Sequence, residues 1–154
     1  MRWAQGRADI ERMLADGELG RVAASREHAE RLLGQARRHL EAAELTCELD
    51  PEGSYGMLYD ASRKALWATL ANQGLRPTTR GGHLAVYHAV MAQLDPPLGA
   101  QLRPFDRMRR RRHEVEYPEI DTPEVVPQDV RDDVPKVRVI LDIATRVLDS
   151  MGVF

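Results

Sequence analysis

From Arg26 to Leu49 the chain runs without a proline, and Ala29, Leu32, Leu33, Ala36, Leu40, Ala43 and Cys47 recur at the three- and four-residue spacing of one helical face. Gly34 is the one weak point in that run, at about 1 kcal/mol against alanine. A helix this long with an apolar stripe needs other helices to cover it. The composition agrees. Leu, Ala, Arg and Glu dominate, and Phe, Trp and Tyr together make up only 5% of the residues. These abundant types lose little rotamer freedom in a helix. At 154 residues the chain fits one domain.

Punctuation divides the rest. Ile10 to Leu19 is apolar but interrupted by Gly17 and Gly20, so it reads as a short, weak helix. Ser25 is a suitable N-cap for the long helix, and Asp50-Pro51 ends that helix and starts the next. The following stretch, about Gly53 to Gln73, closes at Gly74, where a left-handed cap belongs. A loop over Arg76 to Gly82 leads to a helix from His83 to about Leu94, stopped by Asp95-Pro96-Pro97. A further helix, roughly Ala100 to Glu116, ends at Tyr117-Pro118, because proline disfavours a helical residue before it. A loop spaced by Pro118, Pro123 and Pro127 precedes the last helix, about Gln128 to Met151, with Pro135 near its start. No strand signal stands out; the run Val137 to Ile143 suits helix better by context. The expected fold is all-α, an antiparallel bundle of four to five helices over about 25–150, preceded by a short extension over 1–24.

Several function classes are excluded or unsupported. No apolar run approaches the roughly 20 residues that span a bilayer, and the N-terminus lacks a signal-peptide core, so no membrane partner is expected and a cytoplasmic location is. Cys47 is the only cysteine, which rules out an internal disulfide and reads as a small residue on a helix. There is no Gly-rich phosphate loop, serine elbow or carboxylate-histidine zinc signature, so neither metal nor cofactor is expected. His28, His39 and His88 make no metal pair among themselves, and Tyr55 and Tyr59 read as packing residues. His83 follows Gly81-Gly82, a position suited to capping, packing or phosphate contact.

The charge is unevenly spread. The formal net charge is −2, yet residues 103–112 hold six arginines against Asp106, and residues 119–133 hold six acids against Arg131. Such blocks bind each other, bind a partner or are solvated. On the arginine helix, a rotation of about 100° per residue gathers Phe105, Met108 and Val115 on one stripe. Arg112 falls on that stripe. Glu116 and Arg109 lie beside it and His113 just beyond, while Arg107, Arg110, Arg111 and Glu114 point elsewhere. A guanidinium is very costly to bury alone. Arg112 therefore pairs with Glu116, reaches a cleft, or faces another subunit; Arg107, Arg110 and Arg111 are a solvated face or phosphate contacts.

The string Arg112-His113-Glu114-Val115-Glu116-Tyr117 on a late helix of a small bundle resembles the motif helix of HEPN domains, in which an arginine precedes a histidine by four to six residues. Tyr59 to Leu66 resembles the family's Ala-rich helix, and Gly74-Leu75 with the Thr78-to-His83 loop resembles the segment opening its next helix. The similarity covers roughly 25–150 and is closest to an actinobacterial subgroup whose motif helix ends in Glu-Tyr-Pro. It implies metal-independent RNA cleavage by the ribose 2′-hydroxyl. It also implies a homodimer in which two motif helices share a cleft, and a nucleotidyltransferase-type antitoxin as partner. Arg112, His113, Glu116 and Tyr117 are then the catalytic candidates, with Arg107, Arg109, Arg110 and Arg111 as RNA contacts.

Two registers are available. Aligning Arg112 with the motif arginine puts Tyr117 in the histidine's place and leaves His113 as a substitute base; a tyrosine of pKa near 10 is a poor base at pH 7. Aligning Arg107 restores His113 as the histidine, but the two side chains lie about 120° apart. The first register is preferred. Three functions follow: an endoribonuclease toxin or defence component, an inactive HEPN-like module that binds a nucleotide, RNA or a protein, and a helical interaction protein whose acidic loop covers its basic helix.

Overall fold

The computed structural model describes residues 3–154. In chain order it has α1 (Arg7–Ala15), β1 (Leu19–Arg21), α2 (Arg26–Thr46), α3 (Pro51–Gln73), β2 (Leu75–Pro77), α4 (Gly82–Leu94), α5 (Gly99–Leu102), α6 (Pro104–Glu116) and α7 (Pro127–Val147). It is an all-α helical bundle.

Caps place the first long hairpin where the sequence puts it. Ser25 Oγ accepts from the His28 amide at 3.0 Å, and Asp50 Oδ1 accepts from the Gly53 amide at 3.0 Å, with Pro51 in the first turn. Each cap satisfies an amide that has no partner within its helix. Gly74 closes α3 at φ +80°; a Cβ there would also lie 2.8 Å from the Val22 carbonyl oxygen, so glycine is required twice over. The predicted stripe of α2 is the one buried, from Ala29 to Ala43.

α3 is the central helix. Tyr55, Leu58, Tyr59, Ala61, Ala65, Leu66, Ala68 and Leu70 are buried around most of its circumference, because α2, α7, α4 and α6 all pack on it. Small alanines let those neighbours approach closely. Polar groups on it are paired: the buried Gln73 and Gln93 exchange amide hydrogen bonds of 2.7 and 3.0 Å, and the half-buried Asn72 Nδ2 donates to the Leu148 and Met151 carbonyls at 3.0 Å.

Three expectations are corrected. The chain does contain strands: β1 and β2 pair antiparallel, Leu19 opposite Pro77 and Arg21 opposite Leu75. Each strand is only three residues long, too short for an alternating pattern to register in sequence. The segment before Ser25 is no mere extension, since Ile10 and Met13 are buried in the common core and Trp3 Nε1 donates to the Gln93 carbonyl at 2.9 Å. The arginine helix is broken into α5 and α6, because Pro104 has no amide to continue the first and is well placed to begin the second. The run Val137 to Ile143 lies in α7 as expected, and Pro135 sits inside that helix on its exposed side. Among the described residues no helix is long and apolar enough to cross a membrane.

Candidate functional site

α6 is held on the bundle by an aromatic stack. Phe105 is fully buried, with its ring 5.5 Å from those of both Tyr59 (α3) and Tyr87 (α4), and Met108 is buried one turn on. That anchoring fixes the azimuth of the whole helix. Arg112, on the same stripe, is carried to the edge of the core. Its guanidinium lies 5.7 Å from the Tyr59 ring centre and pairs with Glu116 at 2.5 Å. With its side chain 34% exposed, Arg112 is neither buried nor out in bulk solvent. A cation over an aromatic face is a stable arrangement for a half-exposed guanidinium.

Arg112 is one wall of a groove of about 280 Å³ lined also by Arg109, His113, Tyr59, His83, Leu84 and Gly81. This lies near the lower size of ligand pockets, about 300 Å³, which suits a phosphate and its immediate neighbours rather than an engulfed nucleotide. Arg109 pairs with Asp106 at 2.8 Å. Opposite, the Tyr59 hydroxyl is 2.7 Å from His83 Nδ1. Burial pushes the Tyr59 phenol up to about 12, against the pull of the Arg63, Arg112 and Arg109 charges. The His83 imidazole is lowered, first by desolvation and then by Arg63 and Arg112, with Asp60 opposing. Arg63 itself is largely covered, pairing with Asp60 at 3.3 Å and lying 5.8 Å from the Trp67 ring centre.

The other sequence candidates are dispersed. Arg107 turns to the far side of α6, where it forms a bidentate pair with the buried carboxylate of Asp133 (α7), one contact being 3.2 Å. The same carboxylate accepts from Tyr55 Oη at 3.0 Å and from Lys136 Nζ at 3.2 Å. Burial alone raises the Asp133 pKa, but the hydrogen bond and charge of Arg107, helped by Lys136 and Tyr55, outweigh it and leave the carboxyl below its usual value. Arg107 and His113 thus line different cavities. Arg110 is exposed beside Asp106, and Arg111 donates to the Pro123 carbonyl at 2.8 Å and approaches Glu114 at 3.6 Å. Tyr117 ends α6 with its side chain mostly exposed; its ring lies 5.1 Å from that of His113. The acids of the proline-spaced loop, Glu119, Asp121 and Glu124, are exposed and form no ion pair with the arginines of α6 among the described residues. The partners of those arginines are Asp106, Glu114, Glu116 and Asp133 instead.

Sequence reasoning left His83 between capping, packing and phosphate contact, and read Tyr59 as packing alone. One signal was present, since a buried phenol needs a hydrogen-bond partner for its tip. Among the described residues no group of His, Cys, Asp or Glu is arranged to hold a metal ion.

Two arginines and two imidazoles line this one open groove of the helical bundle, a grouping of donors and positive charge able to attract an anion. The chain is a member of the HEPN domain family, whose family model matches residues 29–151. Membership points, in general terms, to a nuclease or another RNA-related function. Comparison with curated proteins and with solved structures gave no match.

Proposed function

We propose that this groove is the RNA-cleaving site of a metal-independent endoribonuclease. In this reading the chain acts as a cytoplasmic homodimer, as a toxin or defence component restrained by a nucleotidyltransferase-type antitoxin. The observation that carries the reading is the placement of the Arg112 guanidinium at the groove, held over Tyr59 and flanked by Arg109 and His113. Attack of a ribose 2′-hydroxyl on the adjacent phosphorus builds negative charge on the phosphoryl oxygens, and fixed cations there lower the barrier. A nearby imidazole moves the proton. Glu116 does not block this role. An ion pair with side chains 34% and 42% exposed holds by less than about 1 kcal/mol, so a phosphate can displace the carboxylate. Arg109, Arg110 and Arg111 then meet flanking phosphates. Arg107 is occupied with Asp133 and contributes to RNA contact only through its exposed part.

A second reading, a module that binds RNA, a nucleotide or a protein without cleaving, is favoured by Tyr117 standing where the motif histidine would be. Incubating the purified chain with structured RNA in EDTA separates the two. Cleavage by the wild type, lost in Arg112→Ala and His113→Ala, supports the nuclease. Tight, steeply salt-dependent binding without cleavage supports the module and sinks the nuclease.

A further inference from the structure

The groove contains an imidazole that does not come from the arginine helix. His83 stands at the start of α4, open to solvent, with Nδ1 fixed 2.7 Å from the Tyr59 hydroxyl. Tyr59 is itself immobilised, 1% exposed and stacked on Phe105. The nitrogen left for a ligand is therefore Nε2. By contrast, no hydrogen bond holds the ring of His113 among the described residues; it rests only beside the exposed Tyr117. A base that is already oriented loses less freedom in the transition state than one that must be captured there.

We propose that His83 is the catalytic base of this groove and that Tyr59 is its positioning residue, an assignment that rests on the RNA-cleavage reading above. The groups around the imidazole are Tyr59, Asp60 and Arg63 from α3, and Arg109, Arg112 and His113 from α6. Desolvation and the neighbouring guanidiniums push the His83 pKa below its ordinary value and so favour the neutral form, Asp60 opposing them. The Tyr59–His83 bond can run either way; in the reactive tautomer the proton is on Nδ1, which donates to the phenol oxygen, and the Nε2 lone pair is free to accept. Tyr59, raised to about 12, stays a neutral phenol throughout. The ribose O2′–H proton passes to Nε2 as the 2′-oxygen bonds to phosphorus. The P–O5′ bond breaks, and the departing 5′-oxygen takes a proton from His113 in its imidazolium form. The products are a 2′,3′-cyclic phosphate and a 5′-hydroxyl, with one proton gained by His83 and one lost by His113, so the charges balance.

The test uses the full chain with two substrates, RNA in EDTA and uridine 3′-(4-nitrophenyl phosphate), whose leaving group needs no proton. His83→Gln is expected to slow both reactions by roughly 10²- to 10⁴-fold, the usual contribution of a general base. His113→Ala loses RNA cleavage but retains action on the nitrophenyl ester. Tyr59→Phe slows both about tenfold, the scale of one net hydrogen bond, and moves the acidic midpoint of kcat/KM, which a loss of packing alone leaves in place. His88→Ala, five residues along α4 and outside the groove, behaves as wild type. If His83→Gln cleaves as fast as wild type while Arg112→Ala does not, the assignment is overturned and the nuclease reading survives. If the wild type cleaves neither substrate, both fall. Should His83→Gln fail to fold, the wild-type imidazole is titrated by NMR with uridine 3′-monophosphate: a raised His83 pKa supports the assignment and an unmoved one overturns it.

Discussion

Two tyrosines of α3, one turn apart, meet the two sides of α6 and show how the same residue on the same helix comes to serve different ends. Tyr55 donates to Asp133, and that carboxylate is saturated by the bidentate Arg107 and by Lys136. Tyr59 bonds His83 through one ring nitrogen only, and the other nitrogen, with the Arg112 and Arg109 guanidiniums, borders an open groove. In the first arrangement the buried carboxylate is fully engaged and ties α3, α6 and α7 together, while Arg107 and Lys136 keep their outer halves exposed. The second leaves one ring nitrogen without a partner among the described residues, beside two partly exposed guanidiniums held only by Asp106 and Glu116. A charged cluster is a structural tie when every member is satisfied internally, and a candidate site when one member is not.

The largest effect should separate the two sides by activity. Arg112→Ala is expected to reduce RNA cleavage by roughly 10²- to 10³-fold, the scale of one lost electrostatic stabiliser, with a thermal midpoint near wild type. Arg107→Ala should do the reverse, keeping most cleavage and losing stability. A result in which Arg107→Ala abolishes cleavage at unchanged stability would dissolve the contrast.

Next comes stability. Asp133→Ala strands the buried Tyr55 hydroxyl without a partner, and urea unfolding should show a loss of about 1–3 kcal/mol. His83→Gln, whose side-chain amide can keep a hydrogen bond to the Tyr59 hydroxyl, should cost within about 0.5 kcal/mol, as exposed substitutions usually do.

The sign of the acid dependence follows from Asp133. Its folded pKa lies below the ordinary 3.8, so the unfolded chain binds the proton more readily. The stabilisation is complete above about pH 4 and is lost as pH falls through the lower folded value. Unfolding midpoints measured from pH 5 down to 2 should drop in the wild type and flatten in Asp133→Asn; equal slopes would remove Asp133 from the account.

The smallest effect is on the imidazole. In Arg112→Ala one charge that lowers His83 is gone, so its NMR titration midpoint should move up toward the usual 6.5. Asp60→Ala should move it the other way, since that carboxylate favours the imidazolium.

The helices were legible because their signals are local. Ser25, Asp50-Pro51 and Gly74 act on amides within a turn of themselves, and the stripe of α2 repeats along one segment. Arg112 was legible for the same reason, since its position relative to Phe105 and Met108 is fixed by helical rotation alone. The pairings across the fold were not. His83 lies 24 residues from Tyr59, and Asp133 lies 26 from Arg107; nothing in either neighbourhood announces the partner. The acidic block 119–133 taught a mixed lesson, since among the described residues Asp133 is the one of its six acids that pairs with an arginine of α6. Its charge complements the basic helix in sequence, yet apart from the Arg107–Asp133 pair the partners of those arginines are Asp106, Glu114 and Glu116, and Pro123 meets Arg111 only through a backbone carbonyl.

The most direct measurement is an NMR titration of the labelled wild-type chain with uridine 3′-monophosphate, following both sides of α6 at once. Resonances of Tyr59, His83, Arg109 and Arg112 should shift together and saturably, while those of Tyr55, Asp133 and Lys136 stay put. Shifts concentrated at Asp133 and Lys136, with the His83 side silent, would mean that the saturated cluster was mistaken for the inert one.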